Sequence, residues 1–135
     1  MKSSRLWIGL LMFTLAGCGR SPLVADSPES AYRQLMMSML LDDKKAVSEL
    51  VVDPSEVNKL AEGRYPKEVE PLLAEQYRTM EIFRSDNHTV DRVELNSSAF
   101  PLPLTAIKIG DSWKIDASPL VNARQTSEAI KKATQ

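Results

Sequence analysis

The chain of 135 residues contains one cysteine, Cys18, and one histidine, His88. Those two scarcities exclude several classes together. A single cysteine closes no disulfide within the chain and forms no redox pair. One cysteine and one histidine also supply too few ligands for a Cys/His zinc site. No apolar run approaches the ~20 residues of a membrane-spanning helix. There is no glycine-rich phosphate loop, no serine-nucleophile motif and no Ser-His-Asp order. Charge of one sign is missing too: 17 Lys and Arg are scattered among 18 Asp and Glu, for a net charge of −1. Nucleic-acid binding needs a basic stripe, and none is present.

What is present begins at the N-terminus. Lys2 and Arg5 precede a short apolar run, Leu6 to Phe13, which ends in the small residues before Cys18. A basic start, a short apolar segment and small residues at a cut point make an export signal. The stretch Leu15-Ala16-Gly17-Cys18 resembles the lipobox of bacterial lipoprotein signal peptides. The resemblance implies that residues 1–17 are removed and that Cys18 carries a diacylglycerol on its thiol and an acyl group on its new amine. One acyl chain holds a bilayer marginally, whereas two or more hold it stably. Gly19 follows the cysteine. Lipoproteins kept at the inner membrane often carry aspartate there, so the resemblance implies an address at the outer membrane, facing the periplasm.

Removal of the leader takes Lys2 and Arg5 and no acid, which moves the net charge from −1 to −3. The mature body therefore adds no basic patch to membrane binding, and the lipid must hold it alone. Residues 18–26 read as a tether, 27–123 as one folded domain and 124–135 as a polar tail. The tether is short. As a flexible coil it spans roughly 15–18 Å, so the domain sits close to its membrane.

Local signals place helices first. Ser27-Pro28-Glu29 is a helix start, with a capping hydroxyl, proline in the first turn and an acid on the positive end of the dipole. Ala31, Leu35 and Met39 run beside Tyr32, Met36 and Leu40 as a wide apolar stripe, so Leu35 is expected in the core. Asp42-Asp43 interrupts the stripe, which resumes at Ala46, Val47, Leu50 and Val51. Asp53-Pro54-Ser55-Glu56 starts a second, short helix that Gly63 closes. A third runs from near Pro71 through Tyr77 and Met80.

The pattern then turns to strands. Ile82-Phe83 opens a β-prone region, Asp86-Asn87-His88 reads as a turn, and Thr89 to Leu95 reads as a strand. Leu104 to Ile109 and Trp113 to Asp116 form a hairpin, and Ser118-Pro119 opens a last helix. A three-residue loop at Gly110-Asp111-Ser112 would put Ile107, Ile109, Trp113 and Ile115 on one face. The expected burial of those side chains favours it over a two-residue turn at Gly110-Asp111.

Helices followed by an antiparallel sheet predict an α+β fold: N-terminal helices packed on a small antiparallel sheet with a C-terminal hairpin. The helix start Ser27-Pro28-Glu29-Ser30-Ala31, the break at Asp42-Asp43 and the run Gly110-Asp111-Ser112-Trp113-Lys114-Ile115-Asp116 resemble small exported proteins of the NTF2-like class, whose α+β domain is cone-shaped.

Each candidate for chemistry has a plainer alternative. His88 could be a base beside Asp91, but its Asp-Asn-His-Thr setting reads first as a solvated turn. Met36 and Met39, with Met37 alongside, could offer thioethers to copper, but Met36 and Met39 lie on the apolar side of a helix, where methionine fills gaps in the core. Asp42 and Asp43 point about 100° apart on a helix and so do not converge on one atom. Asn87-His88-Thr89 and Asn96-Ser97-Ser98 match the glycosylation sequon, most simply by chance. Trp113 could stack on a ligand or plug the core, and the core reading is preferred.

The expected function is a non-enzymatic binding or assembly module, anchored to the bilayer through Cys18. It would have a protein partner or a small apolar ligand, and no cofactor or metal. Two alternatives remain. An enzyme of the polyketide-cyclase or ketosteroid-isomerase type resembles this fold, and would need His88, Asp91 or Asp116 to face a cavity. An inhibitor or immunity lipoprotein is the other.

Overall fold

A computed structural model describes residues 24–60, 66–100 and 102–134, with the side chains of 124–128 left aside. The lipobox, Cys18, most of the tether and Gly63 lie outside the described residues.

The first helix, α1 (Pro28–Leu40), starts where capping chemistry puts it: Ser27 Oγ accepts the Ser30 N–H at 3.1 Å. Its stripe of Ala31, Tyr32, Leu35, Met36 and Leu40 is buried. The chain breaks at Asp42, which takes a left-handed φ of 56°, a conformation that aspartate tolerates better than most residues. Asp43 then caps α2 (Lys44–Leu50), its carboxylate accepting the Ala46 N–H at 3.1 Å. Asp53 caps a 3₁₀ turn, Pro54–Glu56, which runs into α3 (Val57–Leu60). A fourth helix, α4 (Glu70–Thr79), packs on α1. No side chain caps the start of α4, but its end is tied down. The Arg33 guanidinium on α1 donates to the carbonyls of Tyr77 at 2.7 Å, Arg78 at 2.8 Å and Met80 at 3.0 Å. A cation there meets both the orphan carbonyls and the negative end of the helix dipole.

Four strands follow as an antiparallel meander in sequence order: β1 (Ile82–His88), β2 (Arg92–Ser97), β3 (Leu104–Ile109) and β4 (Ser112–Asp116). A last helix, α5 (Ser118–Ala133), continues through most of the stretch that the sequence marks as a polar tail. The fold is α+β. The helices cover one sheet face, with α1 packed against β2, β3 and β4. That face presents Val93 and Leu95, Leu104 and Ala106, and Trp113 and Ile115, all buried. Trp113 thus plugs the core, and Leu35 is fully buried beneath α1.

The hairpin departs from its expected register. Ile109 pairs with Ser112 and Lys108 with Trp113, so the loop is the two-residue turn at Gly110-Asp111. Gly110 has φ +64° while Asp111 stays at negative φ, as a turn with glycine first requires. The register is decided by β2. Val93 pairs with Ala106 and Leu95 with Leu104, which commits Leu104 and Ala106 of β3 to the core. Small Ala106 leaves room for α1, and Ile107 and Ile109 go to the opposite face, with Ile109 exposed.

A second departure lies in β1. Asp86-Asn87-His88 does not turn the chain; it belongs to the strand. The pairs Arg84–Leu95 and His88–Val93 leave residues 85–87 opposite Glu94 alone. The polar triplet is absorbed as a bulge, which bends the strand, and the turn falls at Val90-Asp91. Thr89 N–H closes that turn on the Arg92 carbonyl at 2.8 Å.

Candidate functional site

The bulge in β1 shapes a cleft on the uncovered sheet face. Asn87, His88 and Thr89 form one wall, and Arg92, Glu94 and Thr105 form the other, around about 390 Å³. Period-two alternation explains the second wall. With Val93 and Leu95 turned inward, Arg92 and Glu94 face out, and Thr105 stands directly across from Glu94. His88 Nδ1 lies 2.9 Å from the Ser85 carbonyl oxygen, which can only accept, so Nδ1 carries the proton. In the neutral ring Nε2 is then the acceptor. The cleft brings together a guanidinium, a carboxylate, an imidazole, an amide and two hydroxyls. Such a lining suits a hydrogen-bonding group more than the small apolar ligand expected from the sequence.

The three titratable residues singled out in the sequence are not brought together. His88 is exposed and lines the cleft. Asp91 is an exposed turn residue whose Oδ1 accepts the Thr89 hydroxyl at 2.9 Å. Asp116 lies on β4, with β3 between it and the Glu94 position. Its Oδ1 accepts the Ser118 N–H at 3.2 Å and the Ser118 hydroxyl at 2.8 Å, and so starts α5. Burial, then the negative charges of Asp53 and Asp116, push the Glu56 carboxyl up from its ordinary range. None of His88, Asp91 and Asp116 is among the buried residues of the helix–sheet core.

Arg92, Glu94 and Thr105 were not singled out in the sequence. The signal that could have found them is the outward set of the alternating run Arg92-Val93-Glu94-Leu95. The bulge that turns this set into a cleft has no such signature. Met36 and Met39 sit as the stripe predicts, with Met36 buried and Met39, like Met37, packed against the core. Among the described residues, no group of three or more His, Cys, Asp or Glu side chains is placed to hold a metal ion.

The rest of the uncovered face is mixed. Phe83 is 51% exposed beside Asn96. Arg92, Ile107 and Lys114 make one row across three strands, and Glu94, Thr105 and Asp116 make the next. Lys114 Nζ reaches back to the Glu49 carbonyl at 2.7 Å and fastens the C-terminal end of α2 to the sheet. Comparison with known protein families, curated proteins and solved structures finds no match for the chain.

Proposed function

We propose that the protein is a lipid-anchored periplasmic lipoprotein of the outer membrane. Its domain, of NTF2-like type, acts there as a non-enzymatic binding or assembly module. The address rests on Leu15-Ala16-Gly17-Cys18 behind a basic, apolar leader. The observation that carries the binding role is the one-sided covering of the sheet. Helices bury one face, while the other offers Phe83, a charged double row and the polar cleft at His88, Arg92 and Glu94. A surface with an exposed aromatic, Arg and paired polar groups suits a protein partner. The NTF2-like assignment is supported by the helix start at Ser27, the break at Asp42-Asp43 and the Gly110–Asp116 hairpin.

Two experiments test the parts separately. Cells grown with labelled palmitate should yield labelled wild-type protein, and Cys18→Ser should remain an uncut, unlabelled precursor. A wild-type protein without label would rule out the anchor. For the partner, a photoreactive residue at Phe83 should give protein adducts in intact envelopes, whereas one at exposed Leu72 on α4 should not. Equal yields at the two sites would remove the sheet face from the reading.

A further inference from the structure

Both β-turns lie at the same end of the sheet. The Lys108 N–H donates to the Asp91 carbonyl at 2.8 Å, which sets the Val90-Asp91 turn beside the Gly110-Asp111 turn. The chain enters the domain at that end as well: the Trp113 N–H donates to the Ala25 carbonyl at 2.9 Å, two residues past the second turn. Ala25 is fully buried, so the tether is fixed to the body at this point. Three of the exposed apolar side chains among the described residues lie together at this end. Val90 is 90% exposed at the apex of one turn, Ile109 is 45% exposed beside the other, and Val24 is exposed where the tether leaves.

We propose that this end of the sheet is a lipid-contact tip, which rests Val90, Ile109 and Val24 on the bilayer that holds Cys18. The proposal relies on the lipid-anchor reading. Length is its first argument. Seven residue steps separate Cys18 from Ala25, about 25 Å fully extended and roughly 15 Å as a flexible coil. A six-residue strand is itself ~20 Å long. The tip is therefore held within reach of the membrane surface, while the far end of the sheet reaches it only if the whole domain turns over.

Tethering is the second argument. A contact too weak to recruit a free protein becomes populated when a linker keeps it at high local concentration, so three aliphatic side chains suffice for orientation. Charge sets the lipid class. Arg92 and Lys108 at the tip are matched by Asp91 and Asp111, so the contact needs no anionic headgroup and is insensitive to salt. Thr89, bonded to Asp91 across the turn, shapes the loop whose apex carries Val90. The strands then rise away from the lipid, with the uncovered face upright and its cleft open sideways to the periplasm.

The test uses the mature acylated protein in phosphatidylcholine vesicles with brominated acyl chains. Outside the leader the only tryptophan is buried Trp113, which gives a constant background. Val90→Trp and Ile109→Trp should be quenched several-fold more than Ser98→Trp, which lies at the far end of the sheet. Quenching should persist in high salt. Equal quenching at the three positions, or none at 90 and 109, overturns the tip while leaving the anchor intact. Failure of the wild-type protein to carry acyl mass and float with vesicles overturns both readings together.

Discussion

The two faces of the sheet are built from the same strands and obey different rules. On the helix side, Val93, Leu95, Leu104, Ala106, Trp113 and Ile115 are removed from water, and each change of volume is felt by neighbours packed as densely as an organic crystal. On the other side, Arg92, Glu94, Thr105 and Ile107 lie away from the helix layer, and only Lys114 reaches back to it, at the Glu49 carbonyl. The first face therefore specifies the fold, and the second is free to specify something else.

The largest expected effect breaks the first face. Leu35→Ala, under the centre of α1, should destabilise the domain by about 2–5 kcal/mol, as large core truncations do. Ile107→Ala on the uncovered face should cost well under half of that. Urea midpoints of the two variants measure the contrast directly, and similar losses would mean that something buries the second face too.

The next effect concerns how the helix layer is held together. Arg33→Met should release the three carbonyls at the end of α4 and cost about 1.5–3 kcal/mol, the range for hydrogen bonds to a charged group. Arg33→Lys should recover only part of this, since an ammonium lacks the planar fork. Hydrogen exchange should show the loss concentrated in Tyr77 to Met80.

The smallest effect sits between the layers. Glu29 on α1 pairs with Arg84 on β1, with one of the two contacts at 3.1 Å. That hydrogen bond holds the Glu29 carboxyl below its ordinary value of 4.5. A depressed carboxylate contributes stability above its unfolded value, and that contribution is lost as pH falls through the folded value. Both partners are partly exposed, so Glu29→Gln should cost less than about 1 kcal/mol at pH 7. The difference from wild type should shrink toward zero as the medium is acidified below pH 4.5. A gap that stays constant with pH would assign the loss to packing instead.

What could be read from the sequence was local. Ser27 and Asp53 mark helix starts because a cap involves residues only two or three positions apart. Asp42-Asp43 reads only as a break, and the cap of Asp43 on Ala46 comes from the structure. The stripe of α1 repeats within one element, so Leu35 and Met36 fall where periodicity puts them. The hairpin register could not be settled by its own two strands. Counting large aliphatics favoured Ile107 and Ile109 as core, but β2 and α1 vote as well, and they choose Leu104 and Ala106. The cleft was hidden for a similar reason. Asp86-Asn87-His88 has turn chemistry, and whether such a triplet turns or bulges depends on the partner strand, which here continues past it to Arg92.

The hydrogen bond from Trp113 to Ala25 has an effect at the scale of many molecules. A sheet with two open sides could add neighbours without limit. In this chain β4 has its outer side engaged, by Ala25 at Trp113 and by the Val52 N–H at the Ile115 carbonyl. The other outer strand, β1, has β2 as its only strand neighbour among the described residues, and its bulge interrupts the row that a newcomer would copy. Strand-to-strand association between copies can therefore proceed through one side only. Growth through a single side stops at a pair and does not continue into a fibre.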